Sequence, residues 1–446
     1  VMSVNELAAV EAEIRGRGVE WEIDPTLDRI ALLMDILADP QRAYPIVHIA
    51  GTNGKSSTAR MVEALLRARE LRTGRYTSPE FASLRERICV DGKPISAEQF
   101  VEVFRDIQPY VEMVDAKGVR LSFFEVLTAM AFAAFADAPV DVAVVETGMG
   151  GTWDATNVAD GLVAVVTPVS LDHTEYLGPD VETIAGEKAG IIKPGATVVL
   201  GQQQLSAAQV LMHKAAEAGS VVAREGIEFG VLGAELAVGG QLIHLKGLKG
   251  VYDEIYLPLY GAHQAANAAC ALAAVEALTG GDDPLDVELV RQAFAGVTSP
   301  GRLEVVRGGP TVLVDAAHNP AGMEATLAAV HESFDFTRLI AVVAVMADKD
   351  VTTLLELLEP MTAEIVVTRN SSPRSMEADE LAALAEGIFG ADRVHKTARI
   401  DDAIDLGIGL VDEAGEFSGA GLLITGSVVT AGDARVLLKA GGADGR

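Results

Sequence analysis

The run His48-Ile49-Ala50-Gly51-Thr52-Asn53-Gly54-Lys55-Ser56-Ser57 follows the apolar stretch Tyr44 to Val47 and opens a helical pattern. A buried strand that ends in a glycine-bearing turn and feeds a helix gathers several backbone N–H groups and the positive end of the helix dipole at one point. That arrangement suits a polyphosphate. Gly51, Thr52, Asn53, Gly54, Lys55, Ser56 and Ser57 are therefore the candidate nucleotide-binding residues, with Lys55 as a point charge for the terminal phosphates and a following hydroxyl as a ligand for Mg²⁺. The common P-loop has glycine six positions before its lysine, where this chain has Ile49, so the loop is a shortened variant.

Strand-like and helical patterns alternate after this loop, which predicts a mostly parallel sheet covered on both faces. Strands are expected at Ile46–Ala50, Val140–Glu146, Leu162–Thr167 and Thr197–Leu200, and helices at Ser57–Glu70, Ala97–Val114, Ser122–Ala136 and Val181–Ile192. A hairpin around Asp91-Gly92 and a β-rich insertion from Val221 to Leu259 interrupt the alternation. At 446 residues the chain is too long for one ordinary core. The linker is read at Gly296 to Gly301, after helices at Gln264–Leu278 and Pro284–Ala295. Fresh strands near Thr311–Asp315, Leu339–Val345, Glu364–Thr368 and Leu422–Thr425 follow it. The expected fold is α/β: a large P-loop-type domain over 1–298 and a smaller C-terminal α/β domain over 299–446. Ligands of open parallel sheets lie beyond the strands' carboxyl ends, so chemistry is expected in a cleft between the two.

The formal net charge of −29 argues against nucleic acid or an anionic membrane as partner. The segment Arg67 to Lys93 is locally basic, seven cations against four acids, and reads as a place to hold anionic ligands. Cys89 and Cys270 lack any CxxC or His-rich companion, so buried reduced thiols are expected. The Ser122–Ala136 stretch contains Glu125 and is too short to span a bilayer, and Val1 to Glu13 has no signal-peptide layout. A cytoplasmic protein is the expectation.

Glu146 closes a buried strand beside Gly148-Met149-Gly150-Gly151, where a carboxylate reaches a metal next to the cradle. His173 ends the next strand in Thr167-Pro168-Val169-Ser170-Leu171-Asp172-His173 and is a second metal candidate, with Mn²⁺ as an alternative to Mg²⁺. Asp315 and His318, in Asp315-Ala316-Ala317-His318-Asn319-Pro320, close the first long strand of the second domain, and Arg302 follows the linker. No nucleophile elbow or dinucleotide fingerprint is visible, which leaves hydrolase and dehydrogenase readings weak.

Taken in order, Tyr44 to Lys55, Tyr76-Thr77-Ser78-Pro79, Glu146 to Gly151, Asp154-Ala155-Thr156-Asn157, Leu171-Asp172-His173 and Ile184 to Lys193 resemble the folylpolyglutamate synthases. These include bifunctional dihydrofolate synthases and lie within the Mur ligase superfamily. The resemblance continues through His263 to Asn267, Pro300-Gly301-Arg302, Asp315 to Pro320 and Ala347-Asp348-Lys349-Asp350. It implies an ATP-dependent ligase that adds L-glutamate to a folate or dihydropteroate carboxylate through an acyl phosphate, with small-molecule partners only and a monomeric state.

By position the resemblance implies Lys55 on the terminal phosphates, Ser57 and Glu146 on Mg²⁺, and Ser78 and His173 at metal positions. Lys188 is implied as a carbamylated lysine, Asn267, Arg302 and Asp315 as nucleotide contacts, and His318 and Ser427 as substrate contacts; Arg85, from the basic segment, is a further substrate candidate. Ordinary P-loop spacing points to Ser56 rather than Ser57 for the metal. Two departures stand out: Gly54-Lys55-Ser56-Ser57 lacks the glycine often found after the lysine, and Glu80 follows Ser78-Pro79 where histidine is common. The alternatives are another Mur-type amide ligase, expected to carry a longer segment before the cradle, and a nucleotide-gated binding protein without chemistry, which would need neither Glu146, His173 nor Lys188.

Overall fold

Apolar runs with few charges make strands that are buried on both faces. In a computed structural model, which describes residues 4–18, 24–415 and 419–441, such runs form β1 (Ile46–Ala50), β5 (Val142–Glu146), β6 (Val163–Val166) and β7 (Thr197–Leu200). With β2 (Thr73–Tyr76), β3 (Ile88–Val90), β4 (Lys93–Pro94) and β8 (Val221–Arg224) they make one eight-stranded sheet, ordered β4-β3-β2-β5-β1-β6-β7-β8. Only the β2–β3–β4 pairings are antiparallel. Of the N-terminal stretch read for a signal peptide, residues 1–3 lie outside the described part.

The chain leaves β1 for β2 on one side and returns later to β6 on the other, so β1 sits at the topological switch point. Parallel register puts Ile49 beside Glu146, Ala50 beside Val166 and Tyr76 beside Val145. The carboxyl ends of β2, β5, β1 and β6 therefore form one continuous edge.

Helix starts follow capping chemistry. Ser96 accepts from the Gln99 amide at 3.1 Å while the Gln99 side chain accepts from the Ser96 amide at 3.0 Å, opening the helix Ala97–Asp115. A Ser96→Ala protein should lose about 1 kcal/mol of stability, seen as a lower urea midpoint with an unchanged m-value and unchanged turnover. Ser122 and Glu125 repeat the motif at the helix Phe123–Asp137, whose apolar side chains pack in a core with Ile46, Tyr76 and Val145. The helix expected to reach Ile192 ends at Lys188 and continues as a 3₁₀ turn, Ala189–Ile191. Its terminal carbonyl at Glu187 is taken by the Thr152 amide at 2.9 Å.

The β-rich insertion comprises β8 and a three-stranded sheet of β9 (Gly230–Ala237), β10 (Gly240–Lys246) and β11 (Val251–Leu257), ordered β11-β10-β9. A second large sheet contains β12 (Glu304–Gly308), β13 (Thr311–Val314), β14 (Arg338–Val343), β15 (Glu364–Val367), β16 (Val394–Lys396) and β17 (Ala420–Thr425), in the order β12-β13-β17-β14-β15-β16. All its pairings but β12–β13 are parallel. By compactness the first unit takes Val1–Glu235, Leu242–Leu257 and Ala265–Val297, and the second takes Leu236–Gln241, Pro258–Gln264 and Thr298–Arg446. Two short segments ahead of the linker thus group with the second unit. Both cysteines are free and buried, and no helix among the described residues is long and apolar enough to cross a membrane.

Candidate active site

The loop after β1 is held open by two glycines with positive φ, Gly51 at +145° and Gly54 at +91°. A Cβ on Gly51 would sit 1.8 Å from Thr167 Oγ1, and one on Gly54 would sit 2.5 Å from Asn267 Oδ1. Thr52 pins the loop to the segment after β6: its amide donates to the Pro168 carbonyl at 3.1 Å and its hydroxyl to that of Ser170 at 3.0 Å. The helix Lys55–Ala68 then starts with Gly54 as N-cap and no side-chain cap on its first amides. Uncapped amides at a helix start suit an anion. Lys55 Nζ bends back to donate to the carbonyls of Gly51 at 3.1 Å and Thr52 at 3.2 Å, and Asn53 lies in the same loop.

Glu146, at the end of β5 and 2% exposed, meets this helix start. Ser56 Oγ lies 2.9 Å from both carboxylate oxygens, and the Ser78 amide donates to Oε2 at 3.4 Å. Ser57, the hydroxyl favoured by family position, is 2% exposed in the same first helical turn. His173 stands in the left-handed region (φ 50°) with its amide on Asp172 Oδ1 at 2.8 Å and its ring Nε2 3.8 Å from Asp172 Oδ2. Among the described residues no three His, Cys, Asp or Glu side chains form a metal cage. The oxygen donors Ser56 and Glu146 nevertheless fit Mg²⁺, which is commonly held by one or two carboxylates plus substrate phosphates.

Lys188, 4% exposed at the end of the helix Val181–Lys188, donates to the Gly51 carbonyl at 2.9 Å. Burial first, then the charge of Lys55, push its amine down to about 7, against pulls from Asp172, Asp154 and Glu187. A polar chain ties β1 to the loop after Glu146: Asp154 Oδ2 accepts from the Met149 amide at 2.9 Å, and Asp154 Oδ1 accepts from Thr156 Oγ1 at 2.5 Å. Thr156 Oγ1 lies 2.8 Å from His48 Nε2. Since the Thr156 hydrogen points to the carboxylate, His48 Nε2 carries a proton and donates. Burial, then Lys193, lower His48 to about 3, so the ring stays neutral.

In the second unit Asp315 is 4% exposed and accepts from the amides of Leu303 and Ala317 and the Thr326 hydroxyl, each at 2.8 Å. It fastens the turn carrying Arg302, whose amide donates to the Ser299 carbonyl at 3.2 Å. Burial lowers the pKa of His263, against a pull upward from Asp315 and with a smaller push downward from Arg302. His318 Nδ1 donates to the Ala316 carbonyl at 2.9 Å.

Three expected ligand contacts have partners within the protein. Ser427 is 2% exposed, and its oxygen caps the following helix through the Thr430 amide at 3.0 Å and accepts from Asn370 Nδ2 at 3.1 Å. Arg85 spends its Nη1 on the Ile95 carbonyl at 3.1 Å, bracing the β3–β4 hairpin. Much of the basic run at 67–93 is likewise neutralised internally, through Arg75 on Glu63 at 2.6 Å and Arg87 on Glu80 at 2.5 Å. Sequence reading missed the His48–Thr156–Asp154 chain, although Asp154 and Thr156 stand in a motif it had singled out.

The site after β1 and the two α/β units define a Mur ligase: residues 49–275 match the Mur ligase middle domain and residues 301–428 the Mur ligase glutamate ligase domain. Within that superfamily the chain belongs to the dihydrofolate synthase/folylpolyglutamate synthase family, and it is an ATP-dependent ligase. It is 52% identical to the dihydrofolate synthase/folylpolyglutamate synthase of Mycobacterium tuberculosis over 97% of this chain and 94% of that one. It is 33% identical to the Bacillus subtilis protein of the same name over 96% and 97%. The M. tuberculosis folylpolyglutamate synthase complexed with ADP superposes with a TM-score of 0.94 at 53% identity, covering 98% of each chain. Escherichia coli FolC in complex with DHPP and ADP superposes at 0.85 with 28% identity, also over 98% of each.

Proposed function

We propose that the chain joins the amino group of L-glutamate to a carboxylate of a pterin-bearing acceptor, a folate or dihydropteroate, with ATP as phosphoryl donor. The observation that carries this reading is Ser56 Oγ at 2.9 Å from both oxygens of buried Glu146, directly beside the shortened cradle. In the first step an acceptor carboxylate oxygen attacks the γ-phosphorus, the bond to the β,γ-bridging oxygen breaks, and ADP leaves. In the second, the glutamate nitrogen attacks the acyl carbon, inorganic phosphate departs and the nitrogen loses a proton.

The cradle amides and Lys55 hold the phosphates in line, which is most of what phosphoryl transfer asks of a protein. Ser56 and Glu146 would hold Mg²⁺ or Mn²⁺, with Ser78 and His173 beside them. Bound there, the ion neutralises charge on the phosphoryl oxygens. Lys188 fits a carbamate, because a buried amine lowered to about 7 has neutral nitrogen available to react with CO₂ near neutral pH. Asn267 and Arg302 serve the nucleotide, Asp315 sets the Arg302 turn, and His318 meets the incoming glutamate.

Purified protein given ATP, Mg²⁺, L-glutamate and a pterin acceptor should release phosphate only when all four are present. Equal release without acceptor would sink the ligase reading. Comparing dihydropteroate with tetrahydrofolate identifies the acceptor, and mass spectrometry of the product counts the glutamates added. A protein in the cytoplasm, acting as a monomer, completes this reading.

A further inference from the structure

Arg60 follows Ser56 by one helical turn, and residues four apart share a helix face. Ser56 lies on Glu146, so that face is the one turned toward the metal carboxylate. Long helix side chains lean toward the helix N-terminus, which brings the Arg60 guanidinium back toward this region. The charges acting on it are those of Arg75, Cys89, Glu63 and Glu146.

Arg60 is half-buried and donates no side-chain hydrogen bond to any described residue. Its neighbour Arg75 is fully engaged: Nε on Glu63 at 2.6 Å, Nη1 on the Thr77 hydroxyl at 2.8 Å and Nη2 on Cys89 Sγ at 3.1 Å. Glu63 is engaged in turn, by Arg75, by the Thr73 hydroxyl at 3.3 Å and by the Gly92 amide at 3.0 Å. The local acid is spent on one guanidinium, and a second one is left over. Burial, then the charge of Arg75, push Arg60 down to about 10, the direction expected of a cation short of partners. Such a group is stabilised by any anion that reaches it.

The nucleotide already has the cradle amides and Lys55, which is held on the Gly51 carbonyl at 3.1 Å. The acceptor carboxylate must approach Glu146, and two carboxylates side by side repel unless a cation lies with them. We propose that Arg60 binds the acceptor carboxylate that receives the γ-phosphoryl group and orients it for attack. Its planar fork matches two carboxylate oxygens. The assignment rests on the ligase reading above.

Calorimetry of dihydropteroate binding to the ADP-loaded full chain tests it, with ADP binding and thermal unfolding measured on the same Arg60→Gln and Arg60→Lys proteins. The Gln variant should bind dihydropteroate roughly 10- to 100-fold more weakly, hold ADP within about twofold, and be partly rescued in Arg60→Lys, which keeps the charge but loses the fork. Unchanged dihydropteroate affinity in Arg60→Gln overturns the proposal. So does an equal loss of ADP affinity, which would place Arg60 on the nucleotide, or a lowered melting temperature with no difference between Gln and Lys, which would make it structural. Phosphate release that ignores glutamate would defeat the ligase reading, yet leave this binding result readable.

Discussion

A Lys188→Ala protein should turn over roughly 10²- to 10³-fold more slowly than the parent, the usual size for one lost electrostatic group at a reacting phosphate, while ADP affinity falls no more than about threefold. The separation follows from geometry. Lys188 shares the Gly51 carbonyl with Lys55, at 2.9 and 3.1 Å, so removing it leaves that carbonyl partnered and the loop in place. What disappears is a nearly enclosed amine whose pKa burial lowers to about 7, the nitrogen proposed above to carry the carbamate. Carbamate forms only from the neutral amine, whose fraction rises with pH through about 7. Added bicarbonate at pH 8 should therefore raise turnover of the parent and leave the variant unmoved. Turnover of the variant within tenfold of the parent would count against the assignment.

The same lysine affects stability, and the sign can be worked out. Its folded value of about 7 lies below the ordinary 10.5, so between these limits the unfolded chain binds more protons than the folded one. Stability then rises with pH across that window, by up to about 1.4 kcal/mol per unit, and the penalty is fully present below pH 7. Lys188→Met removes this slope, which urea titrations at pH 7, 8 and 9 would show.

The second large effect is expected at Gly54→Ala. Its φ of +91° costs an L-residue about 1–2 kcal/mol. The added methyl would also meet Asn267 Oδ1 at 2.5 Å and Cγ at 3.2 Å. Asn267 is 5% exposed on the helix Ala262–Thr279 and has little room to withdraw. The loop must move instead, so ADP affinity should fall roughly 10²-fold, equivalent to about 2.7 kcal/mol. Combining it with Asn267→Ala relieves the collision but leaves the φ strain, so recovery should be partial. Parent-like ADP binding by Gly54→Ala would show that the loop is softer than its contacts indicate.

What could be read from the sequence depended on whether the decisive neighbour was local. β1 and β7 run over Ile46–Ala50 and Thr197–Leu200 as expected, because unbroken apolar runs declare themselves. β2 escaped notice: Thr73-Gly74-Arg75-Tyr76 has no such run, yet all four residues are buried, since Glu63 on the neighbouring helix neutralises Arg75. The surplus of cations at 67–93 is reduced from outside the run by Glu63, which pairs with Arg75, a contact that local counting does not include. That Ser56 Oγ meets both Glu146 oxygens depends on the rotation of one helix against one strand end, a fact that no spacing contains. Asp315 was found by motif, but its three hydrogen bonds show that its carboxylate is occupied in shaping the Arg302 turn.

Two lysine side chains hydrogen-bonded to the Gly51 carbonyl have a further consequence for the catalytic cycle. With Thr52 fastened to Pro168 and Ser170, these bonds give the loop its shape before any phosphate is near. Successive nucleotides thus meet a receptor that is already rigid, and little conformational entropy is lost on each arrival. An enzyme that must discharge ADP after every glutamate added gains from this: its grip on phosphate comes from a preset frame, so letting go does not require the frame to dissolve.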